Sequence, residues 1–131
     1  MSPAEWDVMR VIWSNDGVTS KEIIQCLQAK FDWKPTTIKT LLRRLIDKKM
    51  VRIEKYSKYY VYYPIASEQE YSIEAMKDVM DKVCNLQKVK VLAKLVQGID
   101  LTKQDQQYLL NIINQHETVD KVQCCCAKNN K

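Results

Sequence analysis

With 131 residues, 46% of them hydrophobic and only two of them glycine, the chain has material for one small domain plus an appended module, and it should be mostly helical. Its net charge of +5 lies entirely in residues 1–66, where 12 Lys and Arg meet 7 Asp and Glu, whereas residues 67–131 hold 9 of each. The first half therefore suits a polyanion, and with a single His, no Gly-rich phosphate loop and no acid–base pair, an enzyme is excluded.

The first helix starts at Ser2, which forms a capping box with Glu5, and runs to about Trp13 with Trp6, Met9 and Trp13 on its apolar face. Asn15-Asp16-Gly17 ends it as a turn. Thr19 with Glu22 opens a second helix, apolar at Ile23, Ile24, Leu27 and Phe31. Pro35, suited to a first helical turn, opens a third. In that helix Ile38, Leu41, Leu42 and Leu45 recur at helical spacing and face inward.

The opposite face of the third helix carries Thr36, Thr37, Lys39, Thr40, Arg43 and Asp47, with Arg44, Lys48 and Lys49 at its margin. Hydroxyls and long cations on one rigid cylinder can reach base edges and phosphates together, as a recognition helix in double-stranded operator DNA must. We assign groove contacts to Thr36, Thr37, Lys39, Thr40 and Arg43, and place Arg44 near the core boundary. A solvated charged face is the plainer reading of such a helix. Its position after a capped helix and before a Tyr-rich hairpin favours DNA.

After Met50 the period changes to two. Val51 and Ile53 alternate with Arg52 and Glu54, Lys55 to Lys58 form a hairpin tip, and Tyr59 to Tyr63 make a second strand that Pro64 stops. Arg52, Lys55 and Lys58 are placed to neutralise flanking phosphates. The predicted class is mainly α with a small β-hairpin: a winged helix-turn-helix over 1–66, then a helical dimerisation region over 67–120.

In the second region Ser67 with Glu70 caps a helix whose stripe begins at Ile73, Met76, Met80 and Val83 and continues through Leu86, Val89, Leu92, Leu95 and Val96 to Gly98. Thr102 caps the last helix, apolar at Leu109, Ile112 and Ile113. So few helices cannot enclose a core alone, so their stripes should pair in a homodimer. Trp6, Trp13 and Trp33 read as packing residues, Cys26 and Cys84 as small core residues on helices, and His116 as a surface residue.

Residues 121–131 form a Cys-rich tail in which Cys124, Cys125 and Cys126 stand in polar surroundings with no packing role. Thiolates select Cu(I) or Zn(II), and two tails of a dimer supply the four ligands of a closed tetrahedral site. The alternative is a tail without function. No run of about 18 apolar residues spans a membrane, and the N-terminus lacks an apolar signal core, so a cytoplasmic location with reduced thiols is expected.

Three segments in order, Pro3-Ala-Glu-Trp-Asp-Val-Met-Arg-Val-Ile-Trp13, Thr19-Ser-Lys-Glu-Ile-Ile24 and Trp33-Lys-Pro-Thr-Thr-Ile-Lys-Thr-Leu-Leu-Arg-Arg-Leu45, resemble the penicillinase-repressor family over roughly residues 2–120. The resemblance implies a homodimer that represses transcription from a short inverted repeat. It is strongest to the copper-transport-operon branch, whose C-terminus carries Cys-x-Cys, four residues, Cys-x-Cys. Here only Cys124 and Cys126 form such a pair, so a complete thiolate set draws on both subunits or on Cys125. That branch implies Cu(I) as inducer, with the apo or Zn(II)-loaded dimer on the operator. The β-lactam branch is switched by cleavage at an Asn-Phe bond, and this chain has no Asn-Phe pair. The alternatives are a repressor of resistance genes relieved by proteolysis, a regulator with no metal response, and a Cys-rich metal carrier. A carrier needs no groove-reading face.

Overall fold

The computed structural model describes residues 1–124, which form two compact units that meet between Glu74 and Ala75. The chain is mainly helical with one small antiparallel sheet.

Helix α1 spans Pro3–Trp13. The Glu5 amide donates to Ser2 Oγ at 3.2 Å, and the Ser2 amide donates to Glu5 Oε1 at 3.0 Å, so two otherwise unpaired N–H groups are satisfied reciprocally. Its inward face is Val8, Met9 and Ile12, with Trp6 and Trp13 only half-buried. Met9 bears out the centre of the expected stripe, while Trp6 and Trp13 lie at its edge, with Trp13 packed against the core only in part. The two indoles pack edge-on at 5.8 Å and join Tyr71, while Trp13 Nε1 donates to the Ala66 carbonyl at 3.0 Å.

Strand β1 is only Val18–Thr19, too short to show a period in sequence. It converts the expected two-stranded hairpin into a three-stranded sheet of order β1-β3-β2. Strand β2 is Val51–Lys55 and β3 is Tyr60–Pro64, and Tyr62 faces both Val18 and Ile53 in register. Gly17 makes the approach to β1 possible: its φ is +89°, and a Cβ there would lie 2.8 Å from Tyr63 Cε1.

Helix α2 is Ser20–Gln28 and α3 is Pro35–Asp47, with Pro35 in the first turn as expected. Ile23 and Leu27 from α2 meet Ile38, Leu41, Leu42 and Leu45 from α3 in one core with Val8, Met9, Ile12, Val18, Val51 and Tyr62. Phe31 lies beyond the end of α2 and stacks on Trp33 at 4.5 Å. Lys49 closes α3 with φ +60°, and the Met50 amide donates back to the Leu45 carbonyl at 2.9 Å.

Helix α4 is Glu68–Met80, α5 is Lys88–Gln97 and α6 is Lys103–Gln115. Ser67 and Thr102 cap their helices as expected. The continuous stripe from Ile73 to Val96 is interrupted: residues 81–87 are turns, with the Gln87 amide donating to the Cys84 carbonyl at 2.8 Å. Asn85, a residue that competes for backbone hydrogen bonds, sits in that break. None of the three helices contains a buried residue. Among the described residues no helix is long and apolar enough to cross a membrane.

Candidate nucleic-acid interface

Helix α3 has two faces of opposite character. Ile38 and Leu45 are fully enclosed, and Leu41 and Leu42 nearly so, which pins the helix to α1 and α2 by about 1.5–3 kcal/mol for each buried side chain. With that face anchored, the opposite one must be presented outward. Thr36, Thr37, Lys39, Thr40, Arg43 and Arg44 are all exposed. Thr36, Lys39, Thr40 and Arg43 line a shallow groove of about 300 Å³. Thr40 Oγ1 donates to the Thr36 carbonyl at 2.9 Å, which fixes its rotamer and leaves the oxygen lone pairs outward.

Lys39, Arg43 and Arg44 take part in none of the three ion pairs among the described residues, so their charges are available to an external anion. Lys48 is different. Its Nζ donates to both oxygens of Glu5, at 3.0 and 2.9 Å, and Glu5 is 2% exposed. Burial pushes the Glu5 carboxyl upward, but hydrogen bonds from Lys48 and Ser2 outweigh it and hold the pKa at about 2. A cation from the margin of the recognition face thus locks the end of α3 to the start of α1. Nothing local marks this pair, because its members are 43 residues apart.

The wing is the β2–β3 hairpin, closed by the Tyr56 amide donating to the Tyr59 carbonyl at 2.8 Å. Lys55 and Lys58 are exposed at its tip. Arg52 is also exposed, but it is held twice within the protein: its guanidinium lies 4.3 Å over the Tyr63 ring and 2.6 Å from Glu54. The same Glu54 accepts from the Tyr56 hydroxyl at 3.0 Å, and that bond, with Tyr63 nearby, raises the Tyr56 pKa to about 12. Arg52 therefore stiffens the wing while Lys55 and Lys58 extend from it.

One residue of this surface escaped the reading of sequence. Lys34 is the N-cap of α3, makes no side-chain capping bond and is exposed. Pro35 has no N–H and the Thr37 and Ile38 amides donate to the Lys34 carbonyl, so Lys34 adds a positive charge beside the first turn of α3, and a cation in place of Ser, Thr or Asp at the N-cap is the signal that marks it.

Of the expected metal ligands, Cys124 is described, whereas Cys125 and Cys126 lie outside the described residues. Cys124 is half-buried, with its sulfur 3.9 Å from that of Cys84. Cys84 is thus no core residue on a helix but part of the α4–α5 link, and Cys26 is exposed on α2. The donor pair is soft, as Cu(I) prefers and Zn(II) accepts, although no group of three His, Cys, Asp or Glu gathers among the described residues.

A capped helix, a turn, a second helix with one face buried and the other open, and a hairpin beside it define a winged helix-turn-helix, the architecture of a transcription regulator. Residues 1–115 match the penicillinase repressor family. The methicillin resistance regulatory protein MecI of Mammaliicoccus sciuri is 32% identical over 87% of this chain and 93% of its own length. An uncharacterized 16.5 kDa protein of Latilactobacillus sakei is 32% identical over 98% of this chain and 90% of its own. The solution structure of the DNA binding domain of the repressor BlaI superposes with a TM-score of 0.51 at 38% identity, covering 54% of this chain and 87% of that one. The chain belongs to the penicillinase repressor family, whose members are transcriptional repressors and not enzymes.

Proposed function

We propose that this repressor binds an inverted-repeat operator as a homodimer, with α3 in the major groove and the wing on the flanking backbone. The observation that carries the reading is the outer face of α3: Thr36, Lys39, Thr40 and Arg43 line one open groove while the other face is locked in the core. Arg43 and Lys39 then read base edges or adjacent phosphates, Thr36, Thr37 and Thr40 give shorter polar contacts, and Arg44, Lys55 and Lys58 add a salt-dependent attraction. Arg52 reaches a phosphate only by sharing its charge with Glu54. The exposed apolar faces of α5 and α6 support the dimer, which would set two α3 helices about 34–36 Å apart on successive turns of DNA.

The release signal we assign is Cu(I), taken up by the C-terminal thiolates of Cys124, Cys125 and Cys126, with Zn(II) as the ion of the DNA-bound state. Cu(I) is satisfied by fewer thiolates than Zn(II), so exchange changes which cysteines are engaged. The likeness to MecI favours a second reading, release by proteolysis in a resistance system.

Gel shifts with the promoter of the protein's own operon test both parts. Arg43→Ala and Lys39→Ala should each weaken binding by about 1–3 kcal/mol, roughly 5- to 150-fold, with the dimer intact. Unchanged affinity removes the recognition-helix assignment. Cu(I) under reducing conditions should release the wild type and fail to release a Cys124→Ser, Cys126→Ser double variant. A wild-type complex that ignores Cu(I) leaves the proteolytic reading in place.

A further inference from the structure

Cys84 and Cys124 belong to segments 40 residues apart, the α4–α5 link and the chain beyond α6. Their sulfurs lie 3.9 Å from each other. The neighbouring pair reinforces the approach: Asn85 Nδ2 donates to the Gln123 carbonyl at 3.1 Å, so two successive residues of the link are matched with two of the C-terminal segment. Both cysteines are half-buried.

The separation has a chemical meaning. A disulfide needs sulfurs about 2.05 Å apart. Two thiolates on one ion, with bonds of about 2.3 Å, sit about 3.8 Å apart at a tetrahedral angle and about 4.0 Å apart in a trigonal plane. The pair, which as two thiols is within hydrogen-bonding reach, falls between those values, so one ion could engage both sulfurs.

The geometry points to Cys84 as a metal-ligating thiolate that joins Cys124 on one thiophilic d¹⁰ ion, Zn(II) or Cu(I). This deepens the reading of the C-terminal cysteines as metal ligands, on which it rests, by adding a ligand from outside the tail. Each thiol loses its proton to solvent as its sulfur donates to the ion, with no change in oxidation state. The bound ion would clamp the C-terminal segment to the α4–α5 link, giving metal occupancy a direct hold on the helical unit. Without such a clamp, the tail has no covalent or coordinate path to α5 other than through α6.

The test titrates the reduced full-length protein with Co(II), a spectroscopic stand-in for Zn(II), and follows the thiolate-to-metal charge-transfer band. Zn(II) competition against a chromophoric chelator then gives affinities. Cys84→Ser should lose much of the band and weaken Zn(II) by at least about tenfold, the lower bound even for supporting residues of metal sites. Cys124→Ser should do the same, and Cys26→Ser should do neither. Cys84→Ala, with far-ultraviolet circular dichroism on each variant, separates ligand loss from misfolding. A band that survives Cys84→Ser and Cys84→Ala unchanged but disappears when Cys124, Cys125 and Cys126 are all replaced by Ser overturns the inference and leaves the tail reading intact. No band in the wild type overturns both. A Cys84–Cys124 disulfide formed with oxidised glutathione in a protein that gives no Co(II) band also overturns it, marking a redox pair instead.

Discussion

The two units of this chain solve opposite problems with similar helices. In residues 1–74, three short helices and three strands enclose twelve apolar side chains in one core. From Ala75 onward, α5 and α6 are well-formed and capped or closed, yet Val89 is 72% exposed, Leu92 53% and Ile113 65%, and nothing on either helix is buried. A helix stripe is hydrophobic whether or not its partner is present. The first unit finds that partner within its own sequence, whereas the second leaves its stripe exposed, and the proposed dimer would cover it.

The sharpest way to break this contrast is a charge on the unpartnered face. Leu92→Asp should convert the dimer to monomer by light scattering while the tryptophan near-ultraviolet signal of the first unit persists. A dimer that survives would place the seam elsewhere. The matching truncation in the first unit is Leu45→Ala, which should cost about 2–5 kcal/mol in urea unfolding because the site is fully enclosed.

Acid should also distinguish the units, because the Glu5–Lys48 bridge lies wholly within the first. Glu5 titrates at about 2 in the fold against an ordinary 4.5, so its contribution is complete above pH 4.5 and disappears as pH falls towards 2. With Lys48 half-exposed, about 2–3 kcal/mol is at stake. Thermal melts of wild type and Glu5→Gln should therefore differ most at pH 6–7 and converge near pH 2.

Smaller effects probe the backbone. Gly17→Ala should destabilise by about 1–2 kcal/mol, since φ +89° is strained for alanine and the new Cβ meets the Tyr63 ring. Lys49→Gly should stabilise by about 0.5–1 kcal/mol, because glycine takes φ +60° without penalty. A melting temperature that falls with Lys49→Gly would show that the lysine side chain contributes more than its backbone costs.

Helix α3 and its buried face were legible residue by residue: Ile38, Leu41, Leu42 and Leu45 are the buried four, and Pro35 opens the helix. So were the capping boxes at Ser2 and Thr19 and the caps at Ser67 and Thr102. These are local signals, completed within four residues or one helical turn, and the chain carries them wherever it goes. Strand β1, the Glu5–Lys48 bridge, the break at residues 81–87 and the Cys84–Cys124 approach were not legible. Each joins groups dozens of residues apart or overrides a continuous apolar stripe. Which distant groups meet depends on how anchored elements close the intervening loops, and that choice is made by packing and chain entropy together.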